Sequence, residues 1–214
     1  MNLWPQLGST ILLGYLMGSL SPAYLVGRLK GYDVRSSGSG NAGASNTVIM
    51  AGKGLGLLVA LADIAKAAVA WKLCRWLFPA LRLAGLIGGV AALFGHLFPF
   101  YLRFRGGKGL ACLGGLCLAY DPRFLLGLLL IALALAFVTN YVSVTTCIMC
   151  VVVPLSYGLL TRDWTGAVIW ALPAPVMIFK HRSNFRRIRA GEELRFRFLW
   201  NRKAELERIG IEEE

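Results

Sequence analysis

Ser36-Ser37-Gly38-Ser39-Gly40-Asn41-Ala42-Gly43-Ala44-Ser45-Asn46 is a polar, glycine-rich run set between two long apolar segments, and its reading decides the fold. As a pattern it contains G-x-G-x-x-G, with Asp63 twenty residues beyond Gly43, the fingerprint of a dinucleotide-binding α/β domain. The context excludes that domain. About twenty apolar residues precede the run where a short strand is required, no βαβ unit surrounds it, and Asp63 falls inside another apolar span. What remains is local chemistry. Gly38, Gly40 and Gly43 free the backbone for positive φ and close approach, while Ser39, Asn41, Ser45 and Asn46 supply short polar side chains. Backbone amides in such a turn, next to a helix start, form a concavity suited to phosphate. The competing reading is a solvated surface loop.

Outward from this run the chain is cut into apolar spans. It has 214 residues, of which 57% are hydrophobic, and a mean hydropathy of +0.61. That is the composition of an all-α polytopic membrane protein and not of an ordinary soluble domain. The net charge of +12 is uneven, since ten of the 23 Lys and Arg residues lie from Lys180 onward and most others occupy short polar loops. Such a distribution speaks for membrane topology and anionic ligands, and no nucleic acid is expected as a partner. Five cysteines, an odd number, all lie in or beside apolar segments, so a disulfide framework is not expected. The first positive residue is Arg28, so the first apolar stretch reads as an uncleaved span and not as a signal peptide.

About seven transmembrane helices are expected, one of them broken or half-length. The first runs from Leu7 to Val26 with a kink at Ser19-Leu20-Ser21-Pro22. The next two cover Leu55 to Leu73 and Leu83 to Phe100. Leu110 to Ala119 is too short to cross ~30 Å at 1.5 Å per residue and reads as a half-helix. Phe124 to Val138, Val142 to Leu160 and Trp164 to Phe179 complete the set. With the N-terminus outside and the C-terminus inside, the loops 28–53 and 103–108 and the tail carry 4, 3 and 10 basic residues, against five outside. Both glycine turns and the start of the tail then share one membrane face, the cytoplasmic one. One catalytic domain, 1–181, followed by a basic cytoplasmic tail, 182–214, is expected.

Several constellations bear on chemistry. Asp63 and Lys66 lie within a span, where each isolated charge would cost roughly 2.5–3.5 kcal/mol; their i,i+3 spacing lets them pair and support the site, with direct contact to a ligand as the alternative. His96 ends a span as an anchoring side chain. Gly106-Gly107-Lys108-Gly109 resembles half a phosphate-binding P-loop but lacks its first glycine and the hydroxyl after Lys. A lysine on a glycine hinge at the head of a half-helix still suits a phosphate. Lys180-His181-Arg182-Ser183-Asn184 adds donors where the last span ends. No paired metal ligands, H-E-x-x-H or G-x-S-x-G occur, so no metal and no cofactor are expected. Such a donor-rich set stabilises developing negative charge and supplies no strong nucleophile.

Together these motifs resemble the bacterial membrane acyl-phosphate:glycerol-3-phosphate acyltransferases of the PlsY type, over nearly the whole chain. Gly38-Ser39-Gly40-Asn41 with Gly43 and Asn46 is similar to the family's first motif. Gly95-His96 with Pro99 and Gly106-Gly107-Lys108-Gly109 is similar to the second, and His181-Arg182-x-Asn184 with Gly191-x-Glu193 to the third. Asp63-x-x-Lys66 and Tyr141-Val142-Ser143 also follow family patterns. The resemblance implies transfer of a fatty acyl group from acyl phosphate to the 1-position of glycerol 3-phosphate, giving lysophosphatidic acid and phosphate. It further implies that Ser39 and nearby amides cradle the acyl phosphate, that Lys108 contacts phosphate, and that His181 and Asn184 help bind the acceptor. Gly38, Gly40, Asn41, Gly43, Asn46, Gly106, Gly107, Gly109, Arg182 and Glu193 fall with them as substrate-binding positions, and Asp63, Lys66, His96 and Ser143 as supporting ones. The chain departs from the family pattern at Ile49, usually Arg, at Asn140, usually basic, and at Cys112, usually Thr. A small transporter, or a non-catalytic binder of phosphorylated lipid precursors, is the competing class.

Overall fold

The computed structural model describes residues 3–210, and among them every regular element is a helix. Two compact units divide between Leu125 and Leu126. In the first, α1 (Trp4–Ser19) stops where Leu20 leaves helical geometry, and Ser21, extended at φ −113°, starts α2 (Pro22–Leu29). Pro22 at the head of α2 has no N–H to lose there. The Ser21 hydroxyl accepts from the Tyr24 amide at 3.3 Å, satisfying a donor that the break leaves exposed. The kink expected at Ser19–Pro22 is therefore a full interruption.

α3 (Ala44–Leu77) begins well before the expected Leu55, but Gly52 at φ 86°, ψ 171° divides it into a short leading helix and the long apolar one. α4 (Ala84–Leu97) is buried on nearly every side. A Cβ on Gly14 or Gly18 of α1 would overlap the backbone of Gly88 or Ala92 of α4, so the two helices touch backbone to backbone. In lipid, such close approach through small residues supplies the packing that a hydrophobic effect cannot. α5 (Leu110–Tyr120) has 11 residues, about 16 Å, as its sequence implied.

The second unit contains most of α6 (Pro122–Thr139), then α7 (Val142–Thr161), α8 (Trp164–Ala171) and α9 (Ala174–Lys180). The expected single span from Trp164 is split at Leu172–Pro173, where proline removes a helix donor. Beyond it the basic tail folds into α10 (Arg182–Ala190), a 3₁₀ turn at Phe196–Leu199 and α11 (Arg202–Arg208). Among the described residues five segments reach membrane length with apolar composition, and Leu110–Tyr120 and Trp164–Lys180 are shorter apolar ones. α6 exposes Leu126, Leu130, Phe137 and Val138 and buries only Leu128 and Ala136; hydrocarbon is the solvent that such a surface fits.

Candidate active site

Asn46, fully buried in the first turns of α3, moulds the first glycine turn. Its Nδ2 donates to the Val34 and Ser37 carbonyls at 3.0 Å each, and its Oδ1 accepts from the Ser39 amide at 2.7 Å. Both amide hydrogens and the oxygen thus hold the loop in shape. Gly38 and Gly40 are left-handed at φ 57° and 68°, a conformation glycine adopts without the Cβ penalty. This curvature leaves Ser39 on the exposed rim. Below the turn, Arg35 grips Asp33 with Nε and Nη2 at 3.0 and 2.7 Å and reaches the Leu102 carbonyl at 3.5 Å. Its guanidinium stands 5.7 Å over the Tyr24 ring. Hydrogen bonds from the Arg35 side chain and then its amide draw the Asp33 carboxyl down to about 2.

The second turn packs on the first. Gly106 and Gly107 donate to the Leu97 and His96 carbonyls at 3.2 and 3.1 Å. A Cβ on Gly107 would overlap His96 Nε2 and come 3.0 Å from the Ala42 carbonyl. Glycine is needed here for close approach. Gly109, at φ 96°, starts α5, so half-buried Lys108 sits directly before that helix's N-terminal amides. Arg103 and Phe104 are both left-handed without being glycine, at φ 54° and 59°.

Beneath both turns lies a buried ionic cluster. Lys66 Nζ is 2.7 Å from Asp63 Oδ1 and 3.0 Å from His96 Nδ1, and His96 Nδ1 is 3.2 Å from Asp63 Oδ1. The Lys66 ammonium also donates to the Leu20 carbonyl. That carbonyl is available because the break between α1 and α2 sends the Tyr24 amide to Ser21 instead. The expected pair is thus a network joining both halves of the first span to α3 and α4. Asp63, His96 and Cys112 place ligand-type atoms within 4.8 Å of one another. The Lys66 ammonium already supplies the positive charge there, and the trio reads as an ion-pair network. Cys112 points its thiol at the Asp63 carbonyl, 3.5 Å away, a contact the hydroxyl of the family's Thr is equally suited to make.

The third motif lies in the second unit. His181 is buried, with Nδ1 2.7 Å from the Met177 carbonyl. A carbonyl only accepts, so Nδ1 carries the proton of this bond. Asn184 donates through Nδ2 to Glu193 Oε1 at 2.5 Å, and Arg187 Nε donates to Glu193 Oε2 at 2.7 Å. Gly191, left-handed at φ 76°, closes α10 and brings Glu193 back to it. Glu193 thereby orients Asn184 from behind. Arg182 is exposed, with its guanidinium 4.2 Å from the Phe179 ring centre. Ser143, at the head of α7, is buried with an Oγ that bonds no described group. Asn140, at φ 59°, accepts from the Phe196 amide at 2.7 Å. Asparagine tolerates that conformation better than the basic residue usual there. Ile49 is half-buried on the leading helix of α3.

Sequence reasoning missed three elements of this arrangement. The Asp33-x-Arg35 spacing was visible but unread, the Leu20 carbonyl shows only as a kink signal, and the Arg197–Glu205–Arg208 cluster carries no local signature.

An all-helical scaffold with two glycine turns packed on each other and a buried ionic network behind them defines an integral membrane protein. The chain belongs to the glycerol-3-phosphate acyltransferase family, whose profile matches residues 9–191. A glycerol-3-phosphate acyltransferase of Exiguobacterium sibiricum is 38% identical over 187 residues, covering 86% of this chain and 90% of that one. That of Enterococcus faecalis is 36% identical over 198 residues, covering 88% and 91%. Among solved structures, PlsY, an integral membrane glycerol 3-phosphate acyltransferase, in its glycerol 3-phosphate form superposes with a TM-score of 0.79 at 29% identity. The match covers 90% of this chain and 96% of PlsY. Its lysophosphatidic acid form gives 0.78 at 28%.

Proposed function

We propose that this protein transfers a fatty acyl group from acyl phosphate to the 1-hydroxyl of glycerol 3-phosphate, releasing lysophosphatidic acid and phosphate at the cytoplasmic face of a bacterial plasma membrane. The observation that carries the reading is the near full-length likeness to PlsY, whose solved forms are those of the acceptor and the lysolipid. In the reaction the acceptor hydroxyl oxygen attacks the acyl carbonyl, the bond from that carbonyl to the phosphate oxygen breaks, and phosphate leaves with the electron pair. A phosphate oxygen of the donor takes the hydroxyl proton. The protein's share is to hold anions and to stabilise charge as it develops. Ser39 and the amides of the first turn bind the acyl phosphate, Lys108 at the head of α5 neutralises phosphate charge, and His181 and Asn184 bind the acceptor.

Purified protein given synthetic acyl phosphate and glycerol 3-phosphate is expected to form lysophosphatidic acid and inorganic phosphate in equal amounts, with neither acyl-CoA nor acyl carrier protein replacing the donor. Well-folded protein that binds both substrates and forms no product would make it a binder, and uptake of glycerol 3-phosphate into vesicles without acyl transfer would make it a transporter.

A further inference from the structure

The end of α3 remote from the glycine turns has a concavity of its own. From the Gly52 break to Leu77 the helix runs about 37 Å, so its C-terminal end lies a full membrane thickness from those turns. Two hollows meet there. One, of about 410 Å³, is lined by Trp71, Lys72, Arg75, Trp76, Pro79 and Ala119. The other, of about 490 Å³, runs along Ala65, Ala68, Val69, Lys72, Leu73 and Trp76. Lys72 and Trp76 line both, so the hollows adjoin. The second follows positions i, i+3, i+4, i+7, i+8 and i+11, a single stripe of the helix. It covers about 16 Å, roughly the depth of one leaflet.

The chemistry changes along this stripe from purely apolar to cationic. Neither Lys72 nor Arg75 forms an ion pair with a described residue. Trp76 is 75% exposed, whereas Trp71 is buried, edge-on to Tyr120 at 6.3 Å, and so forms a fixed wall. Interfacial anchoring accounts for Lys, Arg and Trp at the end of a span. It does not account for a hollow that Pro79 and Ala119 of α5 also line, continued along α3 by an almost wholly apolar depression. We propose that this is a binding site for one membrane phospholipid with an anionic headgroup, its phosphate between Lys72 and Arg75 and one acyl chain along the stripe. Charge complementarity selects the headgroup and the groove selects the chain. Lying at the opposite end of α3, the site is separate from the glycine turns.

The test uses full-length protein, delipidated in a zwitterionic detergent, with native mass spectrometry and thermal unfolding as readouts. Dioleoyl phosphatidylglycerol is expected to remain bound at one copy per chain and to raise the unfolding temperature, while dioleoyl phosphatidylcholine and inorganic phosphate do neither. K72Q/R75Q is expected to weaken phosphatidylglycerol binding roughly 25-fold, at about 1 kcal/mol per cation, with unchanged unfolding in detergent alone. If the double variant does not fold, K72Q and R75Q singly should each weaken binding roughly fivefold. Equal retention of the two lipids, or undiminished phosphatidylglycerol binding by the folded variants, would make this ordinary annular contact. Stabilisation by inorganic phosphate alone would make it an anion pocket without a lipid and would equally overturn the proposal.

Discussion

Individual side chains at the two turns divide into those that face outward and those that hold the shape. Ser39 and Lys108 belong to the first kind in the proposed reaction. Removal of one donor aimed at developing charge typically costs about 2.7–4 kcal/mol, or 10²–10³ in rate. Ser39→Ala and Lys108→Met are therefore expected to lower turnover by that factor; near-normal turnover of inserted Lys108→Met protein would remove Lys108 from the site. Gly107 belongs to the second kind. Its Cβ would overlap His96 and crowd the Ala42 carbonyl, backbone that cannot swing aside. Gly107→Ala is expected to destabilise by about 1–3 kcal/mol, as overpacking does. Calorimetry in detergent measures it, and a midpoint equal to wild type would mean that the turns separate without cost. Such residue types were legible in sequence, because glycine and short polar residues announce a turn. That Asn46 spends its whole amide on Val34, Ser37 and Ser39 was not, since that depends on how the loop curls back over α3.

Elements follow the same division. The Asp63–Lys66 pair was readable because both residues lie on one helix at i,i+3. Its extension to His96 and Leu20 was hidden, because those partners are 30 and 46 residues away from Lys66. Removing one member of a buried pair leaves an uncompensated charge at a cost of about 3–5 kcal/mol. Asp63→Asn and Lys66→Met are each expected to cut folded yield more than the double substitution does, and simple additivity in thermal unfolding would mean the two act independently. The C-terminal helices depend on Glu205. It is fully buried, and Arg197 and Arg208 bond its carboxylate. Burial alone would raise its pKa, but the hydrogen bonds from Arg208 and Arg197 outweigh that and lower it. A depressed carboxylate contributes stability above its unfolded pKa of about 4.3 and loses it as pH falls through the folded value. Glu205→Gln should expose the tail to trypsin at neutral pH, and wild-type tail amides should exchange faster below about pH 4. Unchanged proteolysis of Glu205→Gln would assign the tail's order to its aromatic contacts instead.

At the scale of the whole molecule, apolar length was the clearest message of the sequence. Among the described residues five of the segments read from it reach membrane length, two more are shorter apolar helices, and interruptions fall at Gly52 and Leu172–Pro173. Interruptions are hard to read because glycine and proline are both tolerated inside spans wherever neighbouring groups satisfy the freed backbone. Folding of the tail was invisible for another reason: ten basic residues look like a topology signal whether or not they meet buried carboxylates. Orientation is tested by a cysteine-free background carrying one new cysteine. An impermeant thiol reagent applied to intact cells should label Thr161→Cys and leave Ser36→Cys untouched, and labelling at 36 would invert the proposed face of catalysis.

The carbonyl released between α1 and α2 also bears on biogenesis. Lys66 and Asp63 enter the bilayer already paired within one helix, and Leu20 has arrived before them, but His96 is synthesised 30 residues after Lys66. The cluster therefore closes only when α4 has followed α3 out of the insertion machinery. A nascent chain stopped earlier holds a lysine with one of its three partners missing. Force measurements on translation-arrested chains should show a late pull as α4 emerges, weakened by His96→Ala.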